Sequence, residues 1–402
     1  MTIKRINFYL FIYLALLFII SSFHLYFKHT GGADSTISEW LINYQGGFIK
    51  RGLIGEICFV IAKELNLSLR YVIYIFQVLL ILFYFILTFL FLKKIKFNYF
   101  IFLAIFSPIF LLYPIAELEV LARKEIFIFI GFIIFLFLGS QKYKNKEDIF
   151  FIVFALPLLV LIWEPIIFYL PFFIIILILK YSIKDFYEFC KLLIFFIPTI
   201  LLSLYIAFNP ITPENHLKLA NSLKDNFGES CYMSCNLLLS KSSIKDQFTS
   251  NFPLYNHIIF IRYFLIFIIG FGPLLLLSKK SIFLKKVIFL RKFKNLFIPF
   301  LIIISPLIIL FAMGSDWGRW INISYTFSIL LFISLYLNNY INIDFSLFNK
   351  FKSKFNNIFL VIFFIIFCFG WNPKTSLTGD VASIPGYRVP YNFVKLILNN
   401  FN

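Results

Sequence analysis

An all-α polytopic membrane protein, with about eleven spanning helices, is the fold class this sequence predicts. Three observations carry the prediction. Hydrophobic residues fill 61% of the 402 positions, Phe alone occurring 59 times, and charged residues only 14%; soluble domains carry about a quarter. The apolar residues come in runs of about 15–24, near the ~20 that take a helix through the hydrocarbon layer with every backbone polar group paired inside it. Short lysine-bearing segments separate the runs, and none shows the alternating polarity of a transmembrane barrel strand.

The chain opens with Lys4, Arg5 and an apolar stretch to Ile20, like the first half of a signal peptide. No small-residue cleavage site follows, so it reads as a retained first helix over 7–26. Further spans are expected near 69–92, 98–115, 125–140, 149–162, 166–180, 189–209, 256–278, 295–313, 321–338 and 356–370. The run 149–180 contains Pro157, Glu164, Pro165 and Pro171. A single span there would bury Glu164 and be broken by its prolines. A tight hairpin with Trp163, Glu164 and Pro165 at the outer surface avoids both costs. No internal repeat stands out.

The formal charge of +18 would point to nucleic acid in a soluble chain. Here the lysines cluster between apolar runs, as positive-inside anchors do. With the N-terminus in the cytoplasm, the cytoplasmic segments hold Lys93, Lys94 and Lys96, then Lys142, Lys144 and Lys146, Lys180, Lys184 and Lys191, the segment 279–294, and Lys350, Lys352 and Lys354. These and the N-terminus carry 21 of the 37 basic residues but five of the 19 acids, which sets the orientation and places the C-terminus in the periplasm. The Phe, Ile and Lys bias resembles AT-rich bacterial coding, and a multi-pass protein of a bacterial inner membrane is expected. The chain reads as one transmembrane domain, 1–402, with three periplasmic excursions. Loop 27–68 includes an amphipathic stretch, 53–67, expected to lie along the membrane surface. Loop 210–255 is polar, and the tail 371–402 ends in a short helix from Tyr391.

The unusual polar residues gather on the outer side. Gly31, Gly32, Asp34, Glu39 and Trp40 directly follow the first helix. A carboxylate there can take the proton of an attacking hydroxyl or help hold a divalent cation, and a turn could bring Asp34 and Glu39 together. Next, Gly46, Gly47, Gly52 and Gly55 surround the Lys50–Arg51 pair. Glycine permits close backbone approach and left-handed turns, and a basic pair against the positive-inside bias suits a lipid phosphate, bound in the donor site or only as a headgroup. Third, Glu117, Glu119, Arg123, Lys124 and Glu125 crowd one short turn. Glu125 suits the start of a helix, and Arg123 and Lys124 suit either a phosphate or a first-loop carboxylate. Fourth, Asp316 and Arg319 are three apart, side by side on a helical turn, next to Trp317 and Trp320, which suit interfacial anchors or a sugar platform. His216 and Glu164 are further candidate substrate contacts. Cys231 and Cys235 are expected to form a local disulfide if their loop faces an oxidising periplasm; Cys58, Cys190 and Cys368 read as packing residues. There is no GxSxG, HExxH or Walker-type loop, which argues against a serine hydrolase, a zinc protease and an ATPase. The spans are nearly free of charge, which argues against a secondary transporter.

This arrangement resembles the GT-C superfamily of multi-spanning glycosyltransferases that use sugars on polyprenyl phosphate. The resemblance covers most of the chain as topology and a few residues as motif. It implies a catalytic carboxylate in the first outer loop, a place held by Asp34 with Glu39 as alternative, and surface-lying helices like 53–67. It also implies a basic group at the donor phosphate, for which Lys50, Arg51, Arg123, Lys124 and Arg319 are candidates, with a glycan, lipid or protein as acceptor. Glu117, Glu119, Glu125, Glu164, His216, Asp316, Trp317 and Trp320 are then candidate substrate contacts. The implied chemistry is deprotonation of an acceptor hydroxyl by Asp34 while arginines stabilise the departing polyprenyl phosphate. Two other readings stay open: a polymerase or ligase of pyrophosphate-linked surface polysaccharide, and a lipid-linked substrate transporter. Loop 210–255 contains no arginine, which favours the transferase over the polymerase.

Overall fold

The computed structural model describes residues 3–140, 146–240, 243–284, 287–346, 355–377 and 382–401. Lys142, Lys144, Lys350, Lys352 and Lys354 lie outside the described residues. The described chain is mostly helical. Four helices have the length and hydropathy to cross a membrane: Ile3–Gly31, Leu69–Leu92, His257–Lys279 and Trp317–Leu337. Phe186–Ile194 and Ile197–Phe208, bent by 55° at Phe195–Phe196, add a fifth if taken as one span. Glu125–Leu138, Phe297–Met313 and Asn357–Phe369 are apolar but shorter.

The other expected spans are interrupted, each for a local reason. In place of one helix over 98–115 there is Tyr99–Ile105, capped by the Asn98 side chain, then turns, then Tyr113–Ala116. Pro108 lacks the N–H that would continue the first helix. Over 147–162 the chain is helical throughout, with a wider π turn at Phe151–Ala155 before Pro157. Glu164–Tyr169 is a 3-10 helix started by Pro165, and Leu170–Lys180 is an α-helix with Pro171 in its first turn. The hairpin between them forms as expected, but not at the surface. Trp163 and Pro165 are buried, because the Glu164 carboxylate turns inward to a cation. The tail helix starts earlier than expected, at Pro385, and runs to Phe401.

Trp317–Leu337 is the central post. Every residue from Trp317 to Leu335 is buried, as befits a helix apolar on all sides. Phe327 stacks on Phe132 at 4.4 Å between ring centres and on Tyr169 at 4.5 Å, which fixes Glu125–Leu138 and Leu170–Lys180 around it. Outward faces of the long helices carry exposed Phe8, Leu79, Phe264 and Ile269, patches that water would penalise and lipid would not. Two small antiparallel pairings staple the ends. Ser281–Phe283 pairs with Ile341–Ile343, Ile282 opposite Asn342, and Asn372–Pro373 pairs with Ala382–Ser383.

The segments that sequence places on the outer side meet at one end. Ser35 Oγ donates to the Glu119 carbonyl, Ser234 N–H to Ser38 Oγ, Asn251 to the Met313 carbonyl, and Leu377 N–H to the Ser315 carbonyl. Lysine-bearing segments meet elsewhere, through Ile288 N–H to the Ile183 carbonyl and Asp344 N–H to the Lys280 carbonyl.

Candidate functional site

The charged end is organised around Glu39. Asp34 caps the one-turn helix Ser35–Ser38, its Oδ1 accepting from Thr36 N–H at 2.9 Å, and the turn delivers Glu39 into the interior. Gln77, a polar residue inside the Leu69–Leu92 helix, donates to the carbonyls of Thr36 at 2.8 Å and Ala122 at 3.3 Å. It thereby ties the first loop to the turn before Glu125. Glu39 is fully buried. Arg51 Nη1 lies 3.1 Å from its Oε1, and Arg123 Nε 3.1 Å from its Oε2. Burial alone would push this carboxyl up, but Arg123, Arg51, Arg319 and Lys124 outweigh it and hold it well below the usual carboxylate range. Arg123 thus takes the first-loop carboxylate, as its sequence position allowed.

Arg51 joins Glu39 to Glu164. Its Nε and Nη2 donate to the two Glu164 oxygens at 2.8 and 2.9 Å. Burial raises the Glu164 carboxyl, yet Arg51 more than reverses this and keeps it low. Arg51 therefore engages two carboxylates, where sequence had offered it to a phosphate. It also adopts the left-handed conformation itself, φ 63°, which sequence had assigned to the glycines. For a non-glycine residue that is strained, and it is held by the Lys124 ammonium donating to the Arg51 carbonyl. The nearby glycines serve close approach instead. A Cβ on Gly55 would lie 1.8 Å from the Ile42 carbonyl oxygen, and one on Gly46 2.0 Å from that of Asn215.

Asp316 precedes the central helix and touches two arginines: Arg319 Nη2 at 3.1 Å, the expected side-by-side pair, and Arg123 Nη1 at 3.7 Å. Arg319 also lies 3.3 Å from Glu125 Oε1, near by charge but not aligned as a hydrogen bond. Glu125 opens its helix as expected. The tryptophans are buried, not anchors at a water boundary. Trp317 packs against Tyr255, Phe311 and Tyr263 and donates to the Phe311 carbonyl. Trp320 lies under the Arg319 guanidinium, 4.4 Å from its ring centre.

Two cavities that share part of their lining open beside this network. A compartment of about 180 Å³ is lined by Lys50, Arg51, Arg123, Glu164, Asp316 and Arg319. A groove of about 410 Å³ shares Lys50, Arg51, Glu164 and Trp320, then runs over Leu204, Ile206, Phe248, Ile309 and Leu310. Lys50 stands where they meet. Among the described residues no carboxylate lies within 4 Å of its ammonium. Burial lowers its pKa, with Glu164 pulling the other way. Lys124 is fully buried, and burial pulls it down to about 8.

Asp34 lines a different cavity, a polar cleft of about 450 Å³ shared with Lys28, Glu117, Glu119, Lys374 and Arg388. Its Oδ2 is 2.6 Å from Lys28 Nζ. The turn therefore sends Asp34 and Glu39 to different partners instead of pairing them. Glu117 is held by Arg388 at 2.5 Å and Asn372 at 3.2 Å, while Glu119 is exposed at the rim. His216 lies apart from both cavities, its Nε2 3.2 Å from Cys231 Sγ, and Cys231 and Cys235 are joined in a disulfide. Sequence reasoning passed over Lys28, Gln77, Lys374, Arg388 and Gln247, which lines both the groove and the charged compartment. Two had a legible signal: Lys28, a cation six residues before Asp34, and Gln77, an amide in a 24-residue apolar helix.

The chain matches no family model, no curated protein and no solved structure.

Proposed function

We propose that this protein is a glycosyltransferase of the GT-C type, with about eleven spans, working at the periplasmic face of a bacterial inner membrane with a sugar on polyprenyl phosphate as donor. The observation that carries the reading is the apolar groove ending on Lys50 beside the charged compartment. An isoprenoid chain fits a groove lined by Leu204, Ile206, Ile309 and Leu310, and its phosphate would then lie at the basic end. The meeting of all the outer segments at one end supports a single site there.

The charges agree with such an anion. Among the described residues, Lys50, Arg51, Arg123, Lys124 and Arg319 face Glu39, Glu125, Glu164 and Asp316 around the compartment, a surplus of one cation. A sugar phosphodiester carries one negative charge. In the proposed step an acceptor hydroxyl oxygen bonds to the anomeric carbon, and the bond from that carbon to the phosphate oxygen breaks. The electron pair leaves on the phosphate, where Lys50 and the free N–H groups of Arg51 stabilise it. The proton goes to a carboxylate. Asp316, with 30% of its side chain exposed, opens into the phosphate compartment. Asp34, held by Lys28, serves an acceptor approaching through the polar cleft.

The test is mass spectrometry of polyprenyl-linked sugars in a bacterial strain lacking this protein, complemented with wild type, Asp316→Asn or Asp34→Asn. The proposal expects a polyprenyl-monophosphate sugar to accumulate and to be cleared by wild type, with one of the two variants failing to clear it. Accumulation of pyrophosphate-linked repeat units instead would favour the polymerase. No change in either lipid would contradict both.

A further inference from the structure

His216, Cys231 and Cys235 line none of the three cavities described above, and the proposed chemistry does not use them. His216 sits on the Pro213–Phe227 helix, with Nε2 3.2 Å from Cys231 Sγ and 3.3 Å from the Cys235 carbonyl oxygen. The imidazole nitrogen and both sulfurs lie within 4.8 Å of one another. Cys235 is fully buried and Cys231 half-buried. They bracket the start of the Met233–Ser240 helix, which matters to the charged end. Ser234 N–H donates to Ser38 Oγ at 3.1 Å, directly before Glu39, and Ser234, Leu237 and Leu238 form one wall of the compartment.

We infer that this trio has two chemical states: a disulfide when oxidised, and a three-ligand site for a thiophilic d10 cation such as Zn²⁺ when reduced. Two thiolates and an imidazole are the ligands such ions prefer. Tetrahedral zinc, with Zn–S about 2.3 Å and Zn–N about 2.0 Å, sets its ligand atoms roughly 3.5–3.8 Å apart. The His216–Cys231 separation is already close to that, so closing around an ion requires the sulfurs to part and little else. The reductant is a dithiol. It gives two electrons to the disulfide and leaves as its own disulfide, and both cysteines emerge as thiols. Metal binding then displaces their two protons to solvent. A water completes the fourth position. Either state fixes the start of the Met233–Ser240 helix, from which Ser234 reaches the first loop, by a covalent bond across its first turn or by an ion that also ties it to His216 on the Pro213–Phe227 helix. Reduced and metal-free, the helix loses that anchor.

The test uses the full chain in detergent with Cys190→Ser, which removes the one exposed free cysteine. Protein is reduced with a dithiol, desalted without oxygen, incubated with Zn²⁺ and passed over a chelating resin; bound zinc is counted. Co²⁺ replaces Zn²⁺ in parallel, since thiolate ligation gives a near-ultraviolet charge-transfer band. The reduced protein is expected to retain one ion per chain and show the band. The oxidised protein and Cys231→Ser should retain none, and His216→Ala, which keeps both cysteines, should bind roughly tenfold more weakly or worse. No zinc and no cobalt band in reduced protein that still elutes as a monodisperse species would overturn the inference. So would equal retention by the oxidised protein or by Cys231→Ser.

Discussion

The two ends of the helix bundle each bury a carboxylate completely, and they do so differently. At one end Asp148 meets Lys180 at 3.0 Å, accepts from the Tyr181 hydroxyl at 2.9 Å, and lines none of the cavities described above. Its single charge is cancelled by a single partner. At the other end Glu39 is equally buried, but its partners Arg51 and Arg123 reach on to Glu164 and Asp316, and both of these onward links line the charged compartment. A closed pair fixes helices. A branched network with one surplus cation among the described residues, and a groove beside it, is what the proposed anion site rests on. Burial of charge alone therefore does not mark a site here; incomplete compensation next to open space does.

The comparison breaks most sharply at Glu39. Glu39→Gln takes one of two carboxylate partners from each of the buried Arg51 and Arg123, which keep Glu164 and Asp316, a loss of about 3–5 kcal/mol. Thermal unfolding in detergent should show a large drop, together with poor recovery of monodisperse protein. Lys50→Ala tests the open part of the network. It should lower turnover about 100-fold, the usual cost of losing one donor at a developing anion, with little change in unfolding temperature, because Glu164 keeps both of its hydrogen bonds to Arg51. A parallel loss of folded protein would make Lys50 structural.

A smaller effect follows from Lys124. Its folded pKa, near 8, lies below the ordinary lysine value. As pH rises through 8 the folded protein loses this proton while the unfolded chain keeps its own up to about 10.4. Stability at this group therefore rises with pH between those values, whereas the surplus positive charge disappears. Turnover should fall several-fold from pH 7 to 9 even as unfolding temperature holds or rises, and Lys124→Met should flatten that limb. The smallest effect is expected at the closed pair. Asp148→Asn should destabilise the protein yet leave turnover per folded molecule unchanged.

Much of this was legible in the sequence, and the remainder was not, for physical reasons. The helical class could be read from the apolar runs, and the lysine spacing separated the segments that meet at the charged end from those that meet elsewhere. The Asp316–Arg319 pair followed from helical spacing, and Glu125 from the dipole at a helix start. Partners across the fold could not be read. Arg51 meets Glu164 113 residues away, and Arg388 meets Glu117 271 residues away; both depend on how the helices assemble. The same distance in sequence hid the burial of Trp163, which follows from Glu164 turning toward Arg51. Asp34 and Glu39 fail to come together for the opposite reason. The Asp34 partner, Lys28, is local, at the end of the first helix, and it draws Asp34 to the polar cleft while Glu39 goes inward. The expected long spans at 98–115 and 166–180 failed at prolines whose effect on an apolar run is local and could have been weighed.

The central claim is that the groove and Lys50 hold a polyprenyl phosphate. The most direct measurement is photo-crosslinking of the detergent-solubilised protein with a diazirine-bearing polyprenyl phosphate, followed by peptide mapping. Labelling concentrated at Leu204, Ile206, Ile309 and Leu310, competed by unlabelled polyprenyl phosphate but not by the alcohol, and lost in Lys50→Ala, is what this structure predicts. Labelling spread evenly over the lipid-facing helices, or unaffected by removing the phosphate or Lys50, would contradict it.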